Sequence, residues 1–292
     1  MRGGNALAVT SSARPRWHES FLAYSRYRHL RWAALLEAAA VVLYIADRPF
    51  GTRYGGTWAG YTLGIIGALL ILWLTAYGYR KRSYADRQDR LVGRLSAHLY
   101  FGLALLLIAT LHTGFHFGWN VHTLAYALMC LAIASGIFGV FCYLRYPRLM
   151  TQNRAGMTTR QMLGTIATLD EQLRVAAMPL DETTAMIIER AVESTAIGHS
   201  LWRQLTRHYP GCTTAAAIAH LDTIADDVPA SLEEIWSQVR VLLDEKASLL
   251  TRVRRDIGYK AMIDFWLLLH VPVSFMLLAA LLAHIVSVLF LW

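Results

Sequence analysis

Two fifteen-residue stretches, HLYFGLALLLIATLH at 98–112 and HVPVSFMLLAALLAH at 270–284, each begin and end on histidine within otherwise apolar sequence. Ionisable side chains in such runs are expensive to bury and mark functional sites by default. On a helix an interval of fourteen falls about 40° short of four full turns and spans about 21 Å, so both histidines of a stretch share a face at two separate depths. If the two stretches faced each other, His98 would meet His270 and His112 would meet His284. Each pair of opposed imidazoles can hold one planar iron macrocycle, since neutral imidazole is a common haem ligand. Zinc suits the arrangement less well, because two ligands at each depth leave its coordination incomplete.

The elements that must position these residues follow from composition. Of 292 residues 55% are hydrophobic and 16% are charged, a charged share below the roughly one quarter of a soluble domain. About 20 mostly apolar residues cross the hydrocarbon core as a helix. Five segments qualify: Leu30–Ala46, which contains Glu37, then Thr57–Tyr79, Leu95–Phe117, Val121–Leu144 and Met262–Phe290. The expected fold is therefore an all-α integral membrane protein of five transmembrane helices. Residues 1–29 form an amino-terminal tail, 30–144 the first four spans, 145–261 a helical insert and 262–292 the fifth span.

The net charge of +8 does not indicate nucleic acid, because the excess lies beside the spans. Arg2, Arg14, Arg16, Arg26, Arg28 and Arg31 precede the first span. Arg80, Lys81, Arg82, Arg87, Arg90 and Arg94 lie around the connector to the third, whereas TGFHFGWNVH between spans three and four has no Lys or Arg. Lys and Arg concentrate in cytoplasmic loops. The amino terminus and the insert are accordingly expected in the cytoplasm, the carboxyl terminus outside, in a bacterial inner membrane. The polar, Arg-containing start MRGGNALAVTSSARPRWHES reads as a cytoplasmic tail rather than a signal peptide. Spans three and five then run parallel, which puts His98 and His270 at the cytoplasmic level and His112 and His284 at the outer level.

A macrocycle needs room, and Gly60, Gly64, Gly67, Gly102, Gly136 and Gly139 lie in the surrounding spans; glycines so spaced equally serve close helix packing. Arg94, one turn before His98, is suited to a haem propionate or to anchoring the span. Glu37 is a candidate for a quinol proton or for snorkelling to the interface. His116 and His122 are candidates for proton relay or for lining a quinone pocket near Trp119. His116 also rivals His112 as a ligand, but an interval of eighteen breaks the match to the fifth span. Pro272 follows His270 by two residues and can kink the helix.

At these histidines the chain resembles the diheme membrane cytochromes b, both the quinol-oxidising bc and b6f type and, more loosely, the cytochrome b subunits of membrane dehydrogenases. In the bc-type members two histidines at this interval on one helix face a second pair on another, and His98, His112, His270 and His284 match that pattern. The resemblance covers spans two to five. It implies a four-helix haem-binding bundle, two haem b groups and an electron-transfer role between a quinone pool and a redox partner within a respiratory-type complex. No PEWY-like quinol motif is found, and the insert at 145–261 lies outside the resemblance.

The insert has apolar residues at helical spacing in TTRQMLGTIATLDEQLRVAAM and in ASLEEIWSQVRVLLDEKASLLTRVRRDIGYKAM, the pattern of amphipathic helices. It carries no Gly-rich phosphate loop, and His199, His208 and His220 are irregularly spaced. Cys130, Cys142 and Cys212 form no CxxC pair, and no CxxCH offers covalent haem attachment. The expected partners are lipid, quinone and redox subunits carrying iron-sulfur, flavin or multihaem c centres. The alternatives are a stand-alone reductase of an external acceptor and a haem-free membrane scaffold or transporter.

Overall fold

The computed structural model describes residues 21–47, 54–80, 88–198 and 200–290. The tail through residue 20, Arg48 and Arg53, the basic connector at 81–87 and His199 lie outside the described residues. All regular structure within them is helical: α1 (Tyr24–Ala46), α2 (Trp58–Arg80), α3 (Gln88–Thr113), α4 (Val121–Arg154), α5 (Thr159–Ala177), α6 (Glu182–Glu193), α7 (Leu201–Thr206), α8 (Thr213–Ile224), a 3-10 turn at Ala225–Asp227, and α9 (Glu233–Phe290).

Five of these helices, α1 to α4 and α9, are long and apolar enough to cross a membrane. Their boundaries differ from those read off the apolar runs. α4 continues past Leu144 through Pro147 to Arg154, and α9 begins at Glu233, well before Met262. Hydrogen bonding within a helix is indifferent to whether its side chains are apolar, so a polar amphipathic segment extends the same helix without a break. α9 also runs through Pro272 as one 58-residue helix. α1 starts earlier than Leu30, but Ser25, Arg26 and Tyr27 have positive φ, so its regular right-handed path begins after them.

The chain divides into two compact units, residues 1–133 with 273–292 and residues 134–272. In the first, Ile71 and Leu74 of α2, Leu105 of α3, Met129 of α4 and Leu277 and Leu281 of α9 share one buried core. α1 adds Ala40 against Leu63 of α2 and Ile108 and Leu111 of α3. Leu35, Val42, Ile65, Leu69, Phe275 and Leu282 remain exposed. So much outward apolar surface on long helices suits lipid rather than water. Between α3 and α4, Phe115, Phe117 and Trp119 are exposed on a short loop, where an interfacial aromatic belt is expected.

The second unit is organised by helix caps and a separate apolar core. Thr158 and Gln161 form a reciprocal capping box at α5, and the Asp181 carboxylate accepts from the Thr184 amide at the start of α6; each satisfies donors that a helix start leaves unpaired. Leu173, Ile188, Ala191, Leu221, Val239 and Leu243 bring α5, α6, α8 and α9 together. Arg154 at the end of α4 pairs with Asp256 of α9 at 2.7 Å and is completed by Thr159, which donates to the same carboxylate at 2.9 Å.

Candidate functional site

His112, His284 and His122 converge in the first unit. The imidazole of His112, near the end of α3, has its Nδ1 2.7 Å from the carbonyl oxygen of Gly60 on α2. A carbonyl only accepts, so Nδ1 carries the proton and Nε2 keeps its lone pair. A fixed Nδ1–H with a free Nε2 is how metal-binding histidines are oriented. The His112 ring lies 6.0 Å from that of His284, centroid to centroid, with the planes at 88°. Two imidazoles that shared one metal ion at about 2 Å each would have centroids about 6 Å apart.

His284 is held from its other nitrogen. Its Nδ1 is in direct hydrogen-bond contact with Nδ1 of His122, and those ring centroids are 4.5 Å apart at 89°. That separation is too short to admit an iron between them. The placement of His122 follows from the start of α4: Asn120 Oδ1 accepts from the Thr123 amide at 2.9 Å, and Thr123 Oγ1 accepts from the Gly118 amide at 3.1 Å. This cap fixes the first turn of α4 and with it His122, the second residue of the helix.

The glycines of α2 serve the histidine directly. A Cβ at Gly64 would lie 2.7 Å from His112 Cε1 and 2.9 Å from its Nδ1, whereas one at Gly67 would meet only Leu105 Cδ1 at 3.7 Å. Gly64→Ala is therefore expected to dislodge the His112 ring and cost about 1–3 kcal/mol, read as a lower Tm of the full chain in detergent. Gly67→Ala should be neutral, because its added methyl reaches an ordinary contact distance. Equal effects would show that Gly64 does not seat the imidazole. Gly102, one turn after His98, is different again, since a Cβ there would meet nothing within 4 Å. It leaves open space beside α3, where Gly64 is filled by a ring.

His270 belongs to the second unit and has its own seat. Its Nδ1 is 2.8 Å from Oγ of the buried Ser135 on α4, and the ring stacks on Trp266 one turn earlier, 5.5 Å away at 30°. Trp266 Nε1 donates to the Ser135 carbonyl at 2.8 Å. Gly136 and Gly139 make this possible: a Cβ on Gly136 would stand 3.7 Å from His270 Cε1, and one on Gly139 would collide with the Trp266 indole. As with His112, a helix of small residues receives an anchored imidazole.

The other residues singled out from sequence fall elsewhere. His98 is half-buried on α3 in the first unit. His116 is exposed in the α3–α4 loop with its Nδ1 2.8 Å from the carbonyl of Gly114; it is turned to its own loop rather than to His284. Arg94 is exposed on α3, and Glu37 is half-buried along α1. His220 pairs with the buried Thr184 at 3.1 Å inside the second unit, a local contact in the helical insert. Ser135, Trp266 and the holding role of His122 were not found from sequence. The available signals were slight: Trp266 lies one turn before His270, and Ser135 is a polar residue beside Gly136 in an apolar span.

No family model, curated protein or solved structure matches this chain.

Proposed function

We propose that this chain is the diheme cytochrome b subunit of a quinone-linked membrane oxidoreductase, carrying electrons across the bilayer of a bacterial inner membrane with its amino terminus in the cytoplasm. The observation that supports it most is the His112–His284 pair: two imidazoles with centroids 6.0 Å apart, each engaged through Nδ1 so that Nε2 is left for a metal. Two imidazoles with Nδ1 engaged are a donor set of the type that holds a haem iron. The sequence interval assigns the second haem to His98 and His270, and the anchoring of His270 by Ser135 and Trp266 supports the same ligand role.

When bound, haem supplies reversible one-electron exchange at its iron. The protein's share is to fix the ligands. Gly60 sets the His112 tautomer, Gly64 admits the ring, and the surrounding apolar helices exclude water and hold a low dielectric. Quinone, lipid and redox subunits bearing iron-sulfur, flavin or multihaem c centres are the proposed partners, because the residues assigned a role here provide ligation but no substrate chemistry.

The test is a pyridine haemochrome assay with a reduced-minus-oxidised spectrum on the purified full-length chain, followed by anaerobic addition of a quinol. About two b-type haems per chain, reduced by quinol, are expected. A colourless protein from cells well supplied with haem would overturn the reading in favour of a haem-free scaffold, in which the His122–His284 contact serves only to satisfy polar atoms.

A further inference from the structure

We infer that His122 is a positioning residue for the outer haem: its Nδ1 accepts a hydrogen bond from Nδ1–H of His284 and so raises the donor strength of that ligand. The inference rests on the haem reading above, but it draws on a contact that the fourteen-residue interval does not contain. His122 is on α4, outside both histidine stretches, and the two residues are 162 positions apart in the chain.

The two outer imidazoles are held in unlike ways. His112 donates to a backbone carbonyl, an acceptor that no side-chain substitution removes. His284 is held by another imidazole, which accepts through Nδ1 only if its own proton is on Nε2. A ligand whose Nε2 is given to a metal must carry its remaining proton on Nδ1, so the direction of the bond is fixed with His284 as donor. Hydrogen bonding to the far nitrogen of a ligating histidine orients the ring and increases its basicity. Stronger donation favours the ferric over the ferrous iron and lowers the reduction potential. The Asn120 and Thr123 cap at the head of α4 keeps His122 in place for this.

The experiment compares His122→Phe and His122→Asn with the unaltered full-length protein by spectroelectrochemical titration and low-temperature EPR of the oxidised state. Phe fills the space without an acceptor, while the Asn carbonyl restores one. In His122→Phe we expect both haems retained, one midpoint potential shifted upward with a changed low-spin EPR signal, and the other haem unmoved. His122→Asn should return the shifted potential toward its original value. Two haems with unchanged potentials and EPR signals in His122→Phe would overturn the inference while leaving the haem reading intact. Loss of one haem in both variants would make His122 a ligand and overturn the positioning role. An unaltered protein without haem would defeat the haem reading itself, and this inference with it.

Discussion

On the diheme reading proposed above, His112→Ala is expected to bring the haem content of the purified protein from about two per chain to about one, and His284→Ala to remove the same spectral component. The argument is geometric. Their rings are 6.0 Å apart, the separation of two imidazoles sharing one metal at about 2 Å, so on the proposed haem reading each variant would take one ligand from the same iron. Outer-shell changes cost a metal site about 10–100-fold in affinity, and losing a ligand itself should cost more. The low-temperature reduced-minus-oxidised spectrum distinguishes the components, and circular dichroism reports whether the helices remain. His116→Ala is the control, because His116 is exposed and its Nδ1 is engaged by Gly114. If His112→Ala and His284→Ala removed different components, or if His116→Ala removed the one assigned to His112, the pairing would be wrong.

The parts of this molecule that were legible in the sequence are those carried by periodicity over a long run. Five apolar stretches correspond to five helices able to cross a membrane, and TTRQMLGTIATLDEQLRVAA folds as the amphipathic α5 with Met162, Ile166, Leu169 and Leu173 buried. Helix ends were less legible. The amphipathic segment from Ala230 and the apolar run from Met262 are each legible, but not that α9 carries both as one helix from Glu233 to Phe290; Glu, Lys, Arg and Leu are good helix formers whether or not lipid surrounds them, so no break separates the two. The convergence of His112 with His284 was read from interval and orientation. Its third member was not: His122 contacts His284 across the bundle from the first turn of α4, which Asn120 caps, a tertiary contact that no spacing rule encodes. The glycines were legible as small but not as to purpose, since only the fold separates Gly64, packed on an imidazole, from Gly67, facing a leucine, and from Gly102, facing open space.

Asp170→Ala is expected to destabilise the second unit by about 3 kcal/mol, the lower end of the cost of orphaning a buried charge. Its partner Lys246, on α9, has a side chain that is 0% exposed; its Nζ lies 2.5 Å from the Asp170 carboxylate of α5 and donates to the Ala191 carbonyl of α6 at 2.7 Å. One ammonium thus ties three helices together beside the Leu173, Ile188 and Leu243 core. In sequence, LLDEKASLL reads as an ordinary polar turn of an amphipathic helix. The two partners are buried unequally, and this sets the test. Asp170 retains 19% exposure, so in Lys246→Met the remaining carboxylate reaches water and the new side chain fills the ammonium's place. In Asp170→Ala the ammonium, 0% exposed, keeps only the Ala191 carbonyl as partner. Hydrogen exchange followed by mass spectrometry over peptides from α5 and the start of α9 should therefore accelerate about a hundredfold in Asp170→Ala, at one decade per 1.4 kcal/mol, and much less in Lys246→Met. The double variant Asp170→Leu with Lys246→Met should fall close to the original protein, because an apolar pair of similar volume commonly replaces a buried ion pair without loss. Equal acceleration in the two single variants would contradict the unequal burial on which the prediction stands.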